Sequence, residues 1–380
     1  MTSRHTGSNT GSDARIAGIE VGLPTSIAEV TVDWMTTVLR TSGAIAAPTT
    51  VVALDAEPFA VGVGLLSQLF RATLGYDGGA GPESVIVKFP TDIEHQRAIA
   101  DAFNIYAREV TAYTAIVPRT ALRTPTIHAA LIASDASNCC LVMEDLSGLD
   151  RADLDAGATW EQAITAVDAL ANYHASFFGS DELPALSDPF ITFENPIHGA
   201  ALPGVHAAGW PATKEHAPDL LTPEVIAFGD RWAELLPKML GVAAHAPTML
   251  HGDWRTDNMF FDDDGDVVIF DFQISAIGNG AYDLAYFISQ SLERSERRGR
   301  EREIVQRYVD QLATHGVDRN VDDVMSQVRA LSAFCLMYGF ASFPQYTELP
   351  PESQAMTRQL MRRAVETITD LDGIAAVDAL

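Results

Sequence analysis

Apolar residues that alternate with polar ones dominate the first part of the chain. Residues 50–54, 65–76 and 84–89 are rich in β-branched or alternating apolar positions, and glycine-rich turns separate them. Two more apolar runs follow at 127–133 and 139–143. This pattern is typical of short strands joined by tight turns. It therefore predicts an antiparallel sheet in this part of the chain.

Apolar positions at helical spacing flank these strands. Residues 26–39 predict a helix in front of the sheet, with Ser26 placed to cap it. Residues 92–117 predict one long helix between the third and fourth strands.

The second part of the chain is predicted to be mainly helical. A helix beginning at Thr159 carries His174 on its apolar stripe, and we interpret His174 as a hydrogen-bonded core residue. The long stretch 179–248 is rich in proline and glycine at first and becomes helical over 223–240. Mixed Glu and Arg residues over 293–307 indicate a solvated helix face. Two final helical segments are predicted over residues 326–346 and 351–371.

One stretch departs from this helical pattern. The run 251–261 and the run 267–273 each join a short apolar segment to polar residues, and the acidic segment 262–266 between them is a strong turn signal. The sequence therefore predicts a hairpin here.

This hairpin would bring Asp253, Asn258 and Asp271 close together. Phosphoryl transfer from ATP needs a carboxylate to orient the attacking hydroxyl, and an amide oxygen and a second carboxylate to hold Mg²⁺. The spacing His-x-Asp-x-x-x-x-Asn, followed by Ile-Phe-Asp-Phe, supplies those groups in that order. The alternative interpretation is that these aspartates only cap turns and end a strand.

Composition narrows the range of functions. The chain has 380 residues, 47% of them hydrophobic, which is enough for two lobes with a sizeable core. Its formal net charge of −26 repels nucleic acids and anionic lipid surfaces, so neither is expected as a partner. Because the acidic residues are spread along the chain, we interpret them as solubilising charge. They do not by themselves indicate a cationic substrate.

Cysteine usage and the N-terminus bear on location. Cys139, Cys140 and Cys335 have no metal-ligand spacing and fit a reducing cytoplasm. Residues 1–20 are expected to form a disordered tail, because the first of them are polar and rich in glycine and serine. No uncharged apolar run reaches the ~20 residues that a membrane span needs.

The motif 251–258 resembles that of the aminoglycoside phosphotransferase and choline kinase group of protein-kinase-like small-molecule kinases. His-Gly-Asp in place of His-Arg-Asp is similar to that group, and Asp271-Phe272-Gln273 is most similar to its ecdysteroid-kinase-like branch. The resemblance implies a two-lobed α+β fold that binds nucleotide between its lobes. The lobes would be residues 21–146, a small antiparallel sheet, and residues 147–380, mainly helical.

Catalytic roles follow from the resemblance. Asp253 would be the catalytic base, and Asn258 and Asp271 would hold Mg²⁺. Asp283 matches a family position that braces the catalytic loop.

The resemblance also implies a nucleotide site in the first lobe. Lys88 matches the family's strand lysine; Glu109 is expected to pair with it, with Glu94 as the alternative. Gly62, Gly64 and Ser67 would lie in a loop that covers the triphosphate, although a plain hairpin turn would also use two glycines. A hinge at 143–146 would bind adenine through the backbone of Met143, Glu144 and Leu146.

The expected activity is transfer of the γ-phosphate of ATP to a hydroxyl of a small molecule. The alternatives are an aminoglycoside, amino-sugar or choline-type kinase, and a catalytically inactive nucleotide-binding module. A protein kinase is disfavoured because no Ala-Pro-Glu segment follows Asp271. ATP versus GTP as donor and the oligomeric state stay open.

The acceptor is expected to have an apolar or aromatic body. The stretches 185–213 and 331–347 contain few carboxylates, Asp188 and Glu194 alone. His198 or His206 would serve as polar anchors for the acceptor. The same stretches contain many aromatic residues, namely Phe190, Phe193, Trp210, Phe334, Tyr338, Phe340, Phe343 and Tyr346. Aromatic side chains suit an apolar acceptor better than a polycation, although they would equally serve as core.

Overall fold

The computed structural model of the chain describes residues 13–16, 19–59, 66–151 and 155–380. The chain divides into two compact units, which give it a two-lobed α+β fold. The first unit consists of Met1–Ala115 and Pro125–Gly148, and the second of Ile116–Thr124 and Leu149–Leu380.

The first unit is built on an antiparallel sheet. Its described strands are β1 (Asp13–Ile16), β2 (Ile19–Gly22), β3 (Thr50–Phe59), β4 (Ser67–Asp77), β5 (Ser84–Pro90), β6 (Ile127–Ile132) and β7 (Cys139–Glu144). Five of them form one sheet in the order β3-β4-β5-β7-β6, and every neighbouring pair is antiparallel. The predicted sheet is therefore confirmed.

The helices of the first unit begin and end at other residues than predicted. They are α1 (Val32–Thr41), α2 (Glu94–Ala102) and α3 (Ile105–Thr111). Thr31, not Ser26, caps α1, because its side chain accepts a hydrogen bond from the N–H of Trp34. The single helix predicted over 92–117 is wrong. Asn104 adopts a φ of 52°, which a continuous right-handed helix does not allow, and it separates α2 from α3.

Burial explains why α1 packs on this sheet. Its residues Met35, Val38 and Leu39 are fully buried, and they belong to the same cluster as Val85 and Val87 of β5. Of the predicted tail, residues 13–16 form β1, which pairs with β2, and residues 1–12, 17 and 18 lie outside the described residues.

The second unit is mainly helical. Its described helices are α4 (Trp160–Ala175), α5 (Pro196–His216), α6 (Pro223–Ala244), α7 (Ala281–Ser291), α8 (Arg294–Arg297), α9 (Glu301–Thr314), α10 (Val321–Phe334), α11 (Leu336–Ser342), α12 (Pro351–Asp370) and α13 (Gly373–Asp378). Its described strands are β8 (Asp150–Arg151), β9 (Ile191–Thr192), β10 (Pro247–Leu250), β11 (Met259–Phe261), β12 (Val267–Ile269) and β13 (Ala276–Asn279).

Helix α5 was missed in the sequence. Pro196 opens it and Asn195 caps it, but Pro203 and Pro211 lie inside it and lower the local preference for helix. Tertiary packing stabilises the helix instead, because Trp210 is buried in the core of the second unit. The segment predicted as one helix over 326–346 is also divided, into α10 and α11.

The prediction of a solvated face over 293–307 is wrong for Arg297. Its side chain is fully buried and lies 3.0 Å from carboxylate oxygens of both Glu301 and Asp370. Sequence spacing does not reveal Asp370 as a partner, because it lies on α12, more than 70 positions away.

One helical stretch among the described residues, Val321–Ser342, is long and apolar enough to cross a membrane by length and composition. It comprises α10 and α11, and 61% of its apolar window is buried inside the protein. Core helices pass the same test, so this finding is weak support for a membrane span.

Candidate active site

The loop 251–258 is held by strand pairing on both sides. Strand β10, which leads into the loop, pairs with β13. Strand β11, which leaves it, pairs with β12, and Asp262 and Gly265 close the turn between them through a backbone hydrogen bond of 2.9 Å. The predicted hairpin is therefore confirmed.

Asp283 fixes the start of this loop. Its two carboxylate oxygens accept hydrogen bonds from the backbone N–H groups of His251 at 2.8 Å and Gly252 at 2.9 Å. The ring of His174 lies 3.2 Å from the same carboxylate and 2.8 Å from the Tyr308 hydroxyl, so His174 is a hydrogen-bonded core residue as predicted.

Gly252 is required by the shape of the loop. Its φ is +87°, and a Cβ built there would lie 2.2 Å from the carbonyl oxygen of Ile274. A larger residue would therefore be strained and would clash with backbone.

Asp253 is a carboxylate of the loop that a neighbouring amide holds in place. Its side chain is 18% exposed. The Asn258 side chain donates from Nδ2 to Oδ2 of Asp253 at 2.9 Å and to its backbone oxygen at 2.9 Å. Burial raises the pKa of Asp253, but Arg255, His251, Tyr286 and Asn258 together outweigh it, so the pKa lies below its usual range. Asp253 is therefore an ionised acceptor at neutral pH.

Asp271 follows the hairpin directly. The N–H of Phe270 donates to the backbone oxygen of Asn258 at 3.2 Å, which joins the end of β12 to the loop 251–258. Asp271 itself has a φ of 66°, an uncommon conformation for a residue other than glycine. Its negative charge acts on both His251 and Arg255, which places it within electrostatic reach of the loop.

The two proposed metal ligands fit a hard cation such as Mg²⁺. Asn258 uses its NH₂ group to hold Asp253, so its side-chain oxygen is left over as an acceptor for a cation. Among the described residues there is no group of three or more His, Cys, Asp or Glu that would hold a metal alone. Mg²⁺ bound by one or two protein ligands together with substrate phosphates needs no such group.

Lys88 and Glu109 form a buried ion pair in the first unit. Nζ of Lys88 on β5 lies 2.6 Å from Oε1 of Glu109 on α3, and the two side chains are 9% and 2% exposed. Glu94, the alternative partner, is exposed. The geometry thus selects Glu109 as the partner of Lys88.

The proposed nucleotide loop is only partly described. Gly62 and Gly64 lie outside the described residues. Ser67 begins β4 and lies opposite Pro90 of β5 in the sheet.

The proposed hinge continues β7. Met143 and Leu146 are buried, and the Glu144 carboxylate accepts a hydrogen bond from the N–H of Thr126 at 2.9 Å. Asp145 accepts hydrogen bonds from Arg71 at 2.8 Å and Ser84 at 2.7 Å. These side chains are engaged in contacts within the first unit.

Most of the aromatic residues expected around an acceptor are core. Phe190, Phe193, Trp210, Phe334, Phe340 and Phe343 are at most 6% exposed. Tyr338 and Tyr346 alone of the eight keep partial exposure. His206 is half-buried, and its Nε2 lies 2.7 Å from the carbonyl oxygen of Gly229.

Three residues at this site, Arg255, Asp257 and Tyr286, were not predicted as site residues from the sequence. Arg255 lies between Asp253 and Asp257, and the Tyr286 hydroxyl stabilises the Asp253 anion. The alternation Asp-x-Arg-x-Asp was a usable signal for the first two. Nothing local pointed to Tyr286, which comes from α7.

The two-lobed fold, the hairpin with its paired Asp and Asn, and the buried Lys-Glu pair define a small-molecule kinase. Residues 76–331 match the phosphotransferase enzyme family, and the chain belongs to that family.

Solved structures share the fold. Choline kinase from Cryptosporidium parvum Iowa II is 12% identical, with a TM-score of 0.57 over 92% of this chain and 99% of that one. The GDP and kanamycin complex of APH(2")-IIIa is 12% identical, with a TM-score of 0.51 over 88% of this chain and 98% of that one. A search of curated protein sequences gave no match.

Proposed function

We propose that this phosphotransferase moves the γ-phosphate of ATP to a hydroxyl of a small molecule, with Asp253 as the catalytic base. The observation that supports this most directly is the pair formed by Asp253 and Asn258, in which the amide fixes one carboxylate oxygen at 2.9 Å. A base held in this way presents its other oxygen to an incoming hydroxyl.

In this mechanism Asp253 orients the acceptor hydroxyl and takes its proton as the oxygen attacks phosphorus. Asn258 and Asp271 would hold Mg²⁺, which neutralises phosphate charge when it is bound. Lys88, kept in place by Glu109, would contact the α- and β-phosphates. The loop with Gly62, Gly64 and Ser67 would cover the triphosphate, and the backbone of Met143, Glu144 and Leu146 would bind the base.

The acceptor we propose is a neutral molecule with an apolar or aromatic body. Two features support this. Arg255 already places a positive charge beside Asp253, and the stretches 185–213 and 331–347 contain few carboxylates to balance several ammonium groups. Six of the aromatic residues expected to line the acceptor pocket are buried, so they give less support to an aromatic acceptor. The proposal therefore depends mainly on the charges around Asp253 and on the scarcity of carboxylates in the two stretches.

The test is a screen by ADP or GDP release. Purified protein receives ATP or GTP with Mg²⁺ and one acceptor at a time: sterol-like alcohols, aromatic alcohols, choline, ethanolamine and kanamycin. We expect turnover with at least one neutral alcohol and none with the Asp253→Asn protein. A higher kcat/KM for kanamycin or choline would overturn the acceptor class, and no transfer to any alcohol despite Mg-ATP binding would favour an inactive binding module.

Branch and location are also proposed. Asp271-Phe272-Gln273 supports a place near the ecdysteroid-kinase-like branch. The net charge of −26 and three free, buried cysteines support a cytoplasmic protein without nucleic-acid or membrane partners.

A further inference from the structure

Four consecutive residues of the catalytic loop each have a buried polar side-chain atom without a hydrogen-bond partner in the described structure. These atoms are Trp254 Nε1, Arg255 Nε, Thr256 Oγ1 and Asp257 Oδ1. Buried polar atoms in folded proteins are nearly always bonded, so such a cluster needs an explanation. Hydrogen bonds at active sites often tighten only when substrate is bound. The loop therefore has bonding capacity that a second arrangement would use.

Arg255 is the charged member of this cluster and lies between two carboxylates. Its Nε is 3.1 Å from Oδ1 of Asp253, and its Nη1 is 3.2 Å from Oδ2 of Asp257. Nε of Arg255 has no hydrogen-bond partner, so its contact with Oδ1 of Asp253 does not have the geometry of a hydrogen bond. A guanidinium binds one carboxylate best through two parallel N–H donors. Here it is shared between two carboxylates and is fully bonded to neither.

Asp257 has an oxygen that could accept a second hydrogen bond from the guanidinium of Arg255. It is 9% exposed, one of its oxygens faces Arg255, and the other oxygen has no partner. If the guanidinium turned fully onto Asp257, both oxygens of that carboxylate would be satisfied. The same movement would free Oδ1 of Asp253.

We propose that Arg255 is a positioning residue that exchanges between Asp253 and Asp257, with Asp257 as its anchor. This inference rests on the proposed function, because it assigns Asp253 as the base. In the structure, Arg255 lies on the side of Asp253 that carries Oδ1, while Asn258 holds Oδ2. When the acceptor hydroxyl arrives at Oδ1, Arg255 takes a two-point hold on Asp257.

The chemical step then balances. The acceptor O–H bond breaks and its proton goes to Oδ1 of Asp253. The acceptor oxygen bonds to the γ-phosphorus, and the bond from that phosphorus to the β-γ bridging oxygen breaks, which releases ADP. Arg255 touches neither reacting atom in this scheme. Its effect comes from which carboxylate it occupies.

Three variants test the exchange: Asp257→Asn, Arg255→Met and the double variant. The assay is phosphate release from Mg-ATP alone, with water in place of the acceptor. We expect Asp257→Asn to lower the rate about tenfold, because Arg255 then stays on Asp253. Arg255→Met should lower it only about threefold, since Asn258 still holds Oδ2. The double variant should match Arg255→Met, so removing Arg255 rescues the loss of its anchor.

A merely structural role for the pair would give a different result. In that case the two single losses would multiply, or the double variant would be slower than Asp257→Asn, and either result overturns the proposal. Arg255→Lys keeps the charge but cannot bind a carboxylate through two parallel donors, so we expect it to behave like Asp257→Asn. The matched control is Asp168→Asn, which breaks the surface pair with Arg307 at 2.6 Å and should leave the rate unchanged.

Two further readouts keep this test separate from the proposed function. Calorimetric titration should give Mg-ATP affinities within about twofold for all variants, which shows that they are folded. A crystal structure of Asp257→Asn should show a hydrogen bond from Arg255 Nε to Oδ1 of Asp253. A guanidinium that stays between residues 253 and 257 overturns the exchange even if no phosphate is released. Absence of phosphate release and of transfer by the wild type, with Mg-ATP bound, would instead refute the kinase function.

Discussion

Nζ of Lys88 lies 2.6 Å from Oε1 of Glu109, and both side chains are buried in the first unit. A buried charge without a partner is costly, so each member of this pair depends on the other. The sequence alone does not decide whether Glu109 or Glu94 pairs with Lys88. The structure selects Glu109, because Glu94 is exposed.

Glu109→Gln should therefore impair the nucleotide site. The amide keeps the shape but not the charge, so the ionic attraction of Glu109 that helps to place Lys88 is lost. We expect Mg-ATP affinity to fall about tenfold and thermal stability to drop, with up to about 3 kcal/mol lost. Titration calorimetry and thermal melting measure the two effects. Glu94→Gln is the matched control, and equal effects from both variants would contradict the assignment.

Asp253→Asn should abolish transfer while Mg-ATP binding is nearly preserved. The carboxylate meets the acceptor hydroxyl, not the nucleotide, and general-base catalysis contributes a factor of about 10² or more. Steady-state ADP release with an acceptor found in the screen gives kcat, and calorimetry gives the affinity. A variant that kept more than about a tenth of the wild-type kcat would show that Asp253 is not the base.

Asp271→Ala should weaken Mg-ATP binding itself. Mg²⁺ would lose a charged oxygen ligand that bridges it to the phosphates, and we expect affinity to fall about tenfold or more. The check is a titration of ATP with and without Mg²⁺. The loss should be confined to the Mg²⁺-containing titration. An unchanged Mg-ATP affinity would contradict the assignment of Asp271 as a Mg²⁺ ligand.

Asp370 should make the second unit sensitive to acid. Burial raises the pKa of Asp370, but Arg294 and Arg297 outweigh that effect, so its folded pKa lies below the usual range. A depressed pKa stabilises the fold above the unfolded value of about 3.9, and that stability is lost as pH falls from there through the folded pKa.

Comparing the stability of Asp370→Asn with that of the wild type tests the direction of this pH dependence. At pH 7 the variant should be less stable by about 3 kcal/mol, because fully buried Arg297 loses a partner at 3.0 Å. The difference in the free energy of unfolding should shrink below about pH 4. Urea unfolding at pH 7, 5 and 3.5 measures it. A difference that stays constant over this pH range would contradict the assigned role of Asp370. The control is Asp322→Asn, because Asp322 forms an exposed ion pair with Arg302.

The sequence alone determined the features that depend on local pattern. Alternating apolar runs gave the five-stranded sheet, and an acidic turn between two short runs gave the hairpin. Both succeed because strand alternation and turn chemistry are short-range properties. The motif with Asp253 and Asn258 was readable for the same reason, since both residues lie in one loop.

Tertiary structure decided what local pattern leaves open. Asn104 breaks a stretch with continuous helical spacing, and Pro203 and Pro211 lie inside a helix that packing stabilises. The choice of Glu109 for Lys88 depends on how α3 lies against β5, which no spacing rule contains.

The same limit applies to the catalytic loop and to the aromatic residues. Asp-x-Arg-x-Asp was visible in the sequence, but only folded geometry shows that Arg255 is shared between two carboxylates and that one oxygen of Asp257 is unpartnered. The aromatics of the stretches 185–213 and 331–347 divide between core and surface according to helices that meet only in three dimensions. Burial is a property of those long-range contacts, so apolar composition alone did not determine it.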